Sequence, residues 1–176
     1  MPASDTIALI GPMGAGKSSV GRRVAKQLGV TFTDTDAILA RTHGPIPDLF
    51  ARHGEEGFRR LEREAVREAL QGGGVVSLGG GAVLHPDTRA DLAPVRVVLL
   101  TVDPAVVAGR IRGGSRPLLA GEDGMTRWTE IFQARRPIYE ALADVTFDTS
   151  RGPLRAVVDA VAHWARASAP TGSSTA

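Results

Sequence analysis

Short apolar runs alternate with amphipathic stretches along this chain, and the alternation sets the expected architecture. Residues 6–10 (TIALI) form an apolar run that stops at Gly11, and residues 16–28 carry Val20, Val24 and Leu28 at helical spacing until Gly29 closes the stretch. A second short strand is expected over residues 30–34 and a helix over 36–41, ended by Gly44-Pro45. Leu49 and Phe50 open another apolar stripe that stops at Gly54. Residues 55–70 then read as a highly charged helix with a narrow apolar face of Phe58, Leu61, Ala65 and Leu70. Residues 75–78 make a strand running into Gly79, Gly80 and Gly81, and residues 95–102 (VRVVLLTV) are the strongest strand signal, with a short helix over 86–92 between them. Pro104 suits the first turn of a helix to about residue 112. The glycine-rich, charged residues 113–124 read as a mobile lid. A helix over 125–142, broken or bent at Pro137, a last strand over 145–148 and a final helix over 153–167 complete the pattern.

Apolar strands alternating with helices in this way predict an α/β domain: a five-stranded parallel sheet, helices on both faces, and ligands at the carboxyl ends of the strands. A chain of 176 residues fits one such domain over 1–167, without internal repeat or linker. The small, polar residues 168–176 are expected to be a disordered tail.

Composition narrows the chemistry. There is no cysteine, which excludes disulfides and thiolate zinc sites, and His43, His53, His85 and His163 are too scattered to suggest a metal cluster, so any metal must be held by oxygen. A net charge of +2 lends little support to nucleic-acid binding. No stretch approaches the roughly 18 apolar residues that cross a bilayer, so a soluble, cytoplasmic protein without membrane contact is expected. No long exposed apolar stripe is evident, and a monomer is expected. Of the 21 basic residues only Lys17 and Lys26 are lysines. Where guanidinium otherwise serves for every cation, a lysine at 17 carries information.

That lysine sits in Gly11-Pro12-Met13-Gly14-Ala15-Gly16-Lys17-Ser18, a full match to G-x-x-x-x-G-K-[ST] directly after a strand and at a helix start. In that context the glycines turn backbone N–H groups inward, and Gly14, Ala15, Gly16, Lys17, Ser18 and Ser19 would cradle the phosphates of a nucleotide. Lys17 would reach the β- and γ-phosphates and the Ser18 hydroxyl would ligate Mg²⁺. The loop alone does not separate a kinase from a GTPase, a motor or a nucleotide-binding module. The strands over 75–78 and 95–102 end in Gly79 and in Thr101-Val102-Asp103-Pro104 rather than in an apolar run closed by a magnesium-binding Asp, and no NKxD sequence for guanine is present.

Phe32-Thr33-Asp34-Thr35-Asp36 places two carboxylates two residues apart, so on an extended backbone both project from one side. Asp34 would then hold magnesium through water, while Asp36 would accept a hydrogen bond from an acceptor hydroxyl and take its proton. Taken alone, the same residues also read as a turn followed by a helix N-cap.

GPMGAGKS, DTD, FRRLE at 58–62, GGG at 79–81, RPLL at 116–119 and RRPIY at 135–139 occur together and in order, and with them the chain resembles the shikimate kinases from about residue 7 to residue 161. The resemblance implies the fold of the nucleoside-monophosphate kinases. It also implies transfer of a phosphoryl group from ATP, with Mg²⁺, to the 3-hydroxyl of shikimate, a step toward chorismate and the aromatic amino acids. Carried over residue by residue, it makes Arg59 and Arg135 clamps on the substrate carboxylate, with Glu62 orienting Arg59. Without the resemblance, Arg59 and Glu62 read as part of a solvated charge stripe with Glu55, Arg63 and Arg67. Gly79, Gly80 and Gly81 would bring backbone close to the substrate ring, and Phe50 and Phe58 would wall its pocket, although both also fit a plain core. Arg116 corresponds to the lid arginine that reaches the phosphates. Arg110 corresponds to the residue lying against adenine, with Arg151 and Pro153 in the later adenine-side loop. A gluconate kinase, a nucleoside-monophosphate kinase and a regulatory module without turnover remain as alternatives.

Overall fold

The computed structural model describes residues 5–110 and 123–169. Its chain order is β1 (Ile7–Ile10), α1 (Lys17–Leu28), β2 (Phe32–Asp34), α2 (Thr35–His43), α3 (Ile46–Gly72), β3 (Val75–Ser77), a 3₁₀ turn (Ala82–Leu84), α4 (Pro86–Leu92), β4 (Arg96–Thr101), α5 (Pro104–Arg110), α6 (Gly124–Leu142), β5 (Val145–Asp148) and α7 (Leu154–Ala167). The strands form one five-stranded, all-parallel sheet in the order β2-β3-β1-β4-β5.

Strand order reverses around β1. The chain leaves β1 toward β2 on one side, returns through β3, and crosses to β4 on the other, with Ile7 in register with Val75 of β3 and Arg96 of β4. The loop after β1 therefore emerges at the switch point of the sheet, where the flanking connections diverge and leave a crevice.

Alternate residues of the strands feed two cores. Ile7, Leu9, Val75, Val98 and Leu100 pack with Val20 and Val24 of α1, Val158 and Val161 of α7, and Trp128 of α6. Ala8, Ile10, Val76, Val97 and Leu99 pack on the opposite face with Val66 and Leu70 of α3, Leu92 of α4 and Tyr139 of α6. Burial on both faces explains why these strands read as continuous apolar runs rather than as an alternation. A smaller cluster of Leu39, Leu49, Phe58 and Ala65 joins α2 to α3.

The expected elements are present, with instructive differences. The two apolar stripes on either side of Gly54 lie in one helical element, α3, kinked where Gly54 takes φ 66° and ψ −178°. The expected end at Gly54 is thus a kink, and glycine accepts its left-handed φ without strain. Helix α2 begins at Thr35, so the backbone is no longer extended at Asp36. Helix α6 runs through Pro137 without interruption. Pro137 and Gln133, whose carbonyl loses its partner there, are both exposed, so water satisfies the orphaned oxygen. Of the lid expected over 113–124, residues 113–122, with Arg116, lie outside the described residues, while Asp123 and Gly124 are the cap and first residue of α6; most of the tail also lies outside them. Among the described residues no helix is long and apolar enough to cross a membrane.

Candidate active site

A cavity of roughly 490 Å³ opens at the carboxyl edge of the sheet. Gly14, Gly16, Lys17, Ser18 and Ser19 line it from the loop after β1, Asp34 and Asp36 from the β2–α2 junction, Gly80 from the connection after β3, and Arg110 with Leu154 from the far side. Ala15 is fully buried in the core beneath the loop, so its contribution is limited to its backbone. Arg151 and Pro153 are exposed on the β5–α7 connection, and the adjoining Leu154, rather than either of them, lines the cavity.

The loop's carbonyls are held from several directions. Lys17 Nζ donates to Gly11 O at 2.9 Å and Pro12 O at 3.0 Å, Trp128 Nε1 to Met13 O at 2.8 Å, Arg110 Nη1 to Gly14 O at 3.1 Å, and Thr149 Oγ1 to Ala15 O at 2.8 Å. Val20 N–H donates to Gly16 O at 2.8 Å, the first bond of α1. Gly14 and Gly16 adopt φ 81° and 88°, the left-handed turns that let successive N–H groups converge on an anion.

Asp34 caps a helix and also faces the loop. Its Oδ1 caps α2 by accepting from the N–H groups of Asp36 and Ala37, at 3.0 and 3.3 Å, and its Oδ2 accepts from Ser18 Oγ at 2.5 Å. Asp36 stands in the first turn of α2, so the two carboxylates share the cavity because a strand end and a helix start meet there, and not because both lie on extended chain.

Across the glycine triplet the site continues into a buried charge cluster. Arg59 Nη1 lies 2.6 Å from Glu62 Oε2, one turn along α3, and its Nη2 lies 3.7 Å from the more exposed Glu55. Phe58 lies under the Arg59 guanidinium at 5.3 Å and stacks on Phe50 with ring centroids 4.3 Å apart. Phe58 is buried in the core cluster that joins α2 to α3. Glu62 is 2% exposed, and burial pushes its carboxyl above the ordinary value of 4.5 although Arg59 and Arg135 pull it down. Arg135, 6% exposed on α6, shares the cluster and hydrogen-bonds Tyr139. Its neighbour Arg136 is exposed and pairs instead with Glu140.

Two of the three glycines, Gly79 and Gly81, stand where a side chain would lack room. A Cβ on Gly79 would fall 2.6 Å from Glu62 Oε1 and 2.9 Å from Asp36 Oδ1, one on Gly81 would overlap the Arg59 guanidinium, and one on Gly80 would touch Arg135 Nη1 and Gly11 O at 3.5 Å. Glu62 and Asp36 therefore approach the same face of Gly79. At that glycine the charge cluster adjoins the phosphate-side cavity.

Three residues of this arrangement carry no role in the sequence reading. Tyr139 donates its hydroxyl to Gly80 O at 2.5 Å, and burial raises its phenol, keeping it a donor. It lies four residues after Arg135, on the same helix face, which was the available signal. Trp128 and Thr149 act on the loop across 115 and 134 residues of chain. No local pattern could mark them.

A phosphate-type loop at the switch point of a parallel sheet, carboxylates facing it and an arginine-lined recess beside it define a small-molecule kinase of the P-loop class. The family model for shikimate kinase matches residues 13–166. A shikimate kinase of Thermobifida fusca is 50% identical over 145 residues, covering 81% of this chain and 84% of that protein. One from Mycobacterium avium is 47% identical over 153 residues, covering 85% and 87%. The solved structure of the Acinetobacter baumannii shikimate kinase in complex with shikimate superposes with a TM-score of 0.88 at 33% identity, covering 93% of this chain and 94% of that one. The chain belongs to the shikimate kinase family.

Proposed function

We infer that this chain catalyses transfer of the γ-phosphate of ATP to the 3-hydroxyl of shikimate, yielding shikimate 3-phosphate and ADP. The observation that carries it is the convergence on Gly79 of Asp36, which lines the phosphate-loop cavity with Lys17, and Glu62, the partner of Arg59. An anion held by Arg59 and Arg135 is thereby next to a carboxylate that faces the phosphates. Arg59 Nε supports this, since it is buried without a partner among the described residues. A substrate carboxylate would satisfy that donor, and a guanidinium fork suits a carboxylate's two oxygens.

The proposal divides the labour among these residues. Gly14, Gly16, Lys17, Ser18 and Ser19 bind the phosphates; Lys17, on its flexible stem, turns from the loop carbonyls toward the β- and γ-oxygens. Asp36 receives the hydrogen bond of the acceptor hydroxyl, aligns it and takes its proton as it attacks phosphorus. Arg59 and Arg135 hold the carboxylate, Glu62 and Tyr139 hold the arginines, and Phe50 and Phe58 exclude water beside them. Arg110, Arg151 and Pro153 serve the adenine side, and Arg116 of the lid stabilises charge during transfer.

Ser18 and Asp34 fit a magnesium ion. A hydroxyl and a carboxylate oxygen already lie together at the loop, and this ion takes only one or two protein oxygens beside water and phosphate oxygens. When bound, it would neutralise charge on the β- and γ-phosphates. A monomeric, cytoplasmic enzyme acting on a small molecule, without nucleic-acid or membrane partners, completes the proposal.

Purified protein with ATP and magnesium should release ADP on addition of shikimate, and not on addition of gluconate, AMP or CMP. ADP release restricted to one of the other acceptors would end the shikimate assignment.

A further inference from the structure

We propose that Trp128 and Thr149 are positioning residues for nucleotide binding: by holding the Met13 and Ala15 carbonyls outward, they aim the N–H groups of Gly14 and Gly16 at the phosphates. The proposal rests on the nucleotide-binding role inferred above.

In a planar trans peptide the C=O and the following N–H point in opposite directions, so an anchor on a carbonyl fixes the next residue's N–H. Trp128 Nε1 on Met13 O, at 2.8 Å, therefore sets the direction of Gly14 N–H, and Thr149 Oγ1 on Ala15 O, at 2.8 Å, sets that of Gly16 N–H. Gly14 and Gly16 both line the phosphate cavity. Neither Trp128 nor Thr149 does, so any effect on nucleotide passes through the loop.

The loop needs such anchors because its key positions are glycines. At φ 81° and 88° a glycine has alternative backbone wells of similar energy, and the adjoining peptide could rotate its carbonyl into the cavity in place of the N–H. Each anchor is committed to this task. Trp128 is 1% exposed and packs against Phe132 with ring centroids 5.3 Å apart, and its one polar atom goes to Met13. Thr149 is 3% exposed. Its hydroxyl has one proton and two acceptors in range, Ala15 O and Thr101 O at 3.1 Å. Ala15 O, at 2.8 Å, is the nearer of the two and the better placed to take the proton. The same hydroxyl accepts from Arg110 Nη1 at 3.1 Å, and that nitrogen also reaches Gly14 O. The Gly14 and Ala15 carbonyls are thus linked through Arg110 and Thr149.

The test is calorimetric titration with ADP and steady-state kinetics on Thr149→Val, which removes the hydroxyl at nearly constant shape, and on Trp128→Phe, which removes the indole donor. Both should weaken ADP binding and raise the KM for ATP roughly fivefold or more, as for loss of one buried donor, while the KM for shikimate stays within about twofold. Thr149→Ser should restore wild-type ADP affinity. Wild-type ADP affinity in Thr149→Val, or an equal loss of shikimate and ADP affinity in both variants, would overturn the proposal. If the unmodified protein bound no ADP, the nucleotide-binding role itself would fall, and the anchors' function with it.

Discussion

Glu62 holds the Arg59 guanidinium through a 2.6 Å contact one helical turn along α3, and it does so while almost fully buried. A buried ion pair of this kind is a weak source of net stability, but breaking it from one side leaves an uncompensated charge. Its value lies in orientation. Glu62 on one edge and Phe58 on one face restrict how the Arg59 guanidinium can turn.

Glu62→Ala should accordingly raise the KM for shikimate roughly tenfold or more, as for loss of a charge-assisted bond to the clamp, with little change in the KM for ATP. Kinetics with each substrate varied in turn check this. Equal effects on both substrates would assign Glu62 to the fold alone.

The same carboxyl predicts a pH dependence. Burial, the largest influence, raises its pKa above 4.5 in the folded chain, so the native state holds the proton more tightly than the unfolded state. Its stability contribution is therefore fully present below about 4.5 and is lost as pH rises through the folded value. The Tm of the wild type relative to Glu62→Gln should fall as pH rises above about 4.5. A difference that stays flat over that range would contradict the raised value.

Gly81→Ala tests the packing of the triplet. The added methyl would overlap the Arg59 guanidinium, and overpacking of this kind costs about 1–3 kcal/mol. Because the neighbour that must give way is the carboxylate clamp, kcat/KM for shikimate should fall by roughly tenfold or more. ADP affinity should be retained, which calorimetry can verify.

Asp34 combines a cap with a proposed metal contact, and two substitutions separate them. Asp34→Ala should lower stability by about 1 kcal/mol through loss of the cap and should also raise the magnesium concentration needed for half-maximal rate. Asparagine caps well, so Asp34→Asn should keep the Tm while still raising the magnesium requirement. Rates that respond to magnesium as in the wild type would remove Asp34 from the metal site.

Asp36→Asn should lower kcat by roughly 100-fold or more while leaving ADP binding intact, as for loss of a proton acceptor. Near-normal turnover would restrict Asp36 to positioning the hydroxyl.

The chain's local patterns determined a great deal. Strands buried on both faces write themselves as apolar runs, glycine and proline mark the breaks, and the phosphate loop is contiguous, so its amides and Lys17 follow from eight adjacent residues. Arg59 and Glu62 were legible as a pair because one helical turn separates them, although only burial distinguishes a clamp from a solvated charge stripe. Three-dimensional packing decided the rest. It set helix α2 to begin one residue before Asp36, carried α6 through Pro137, and brought Glu62 and Asp36 to the same face of Gly79. It also put Trp128 and Thr149 behind the loop. Periodicity reports which face of an element is apolar; it carries no information about which distant element supplies the hydrogen-bond partner once that face is buried.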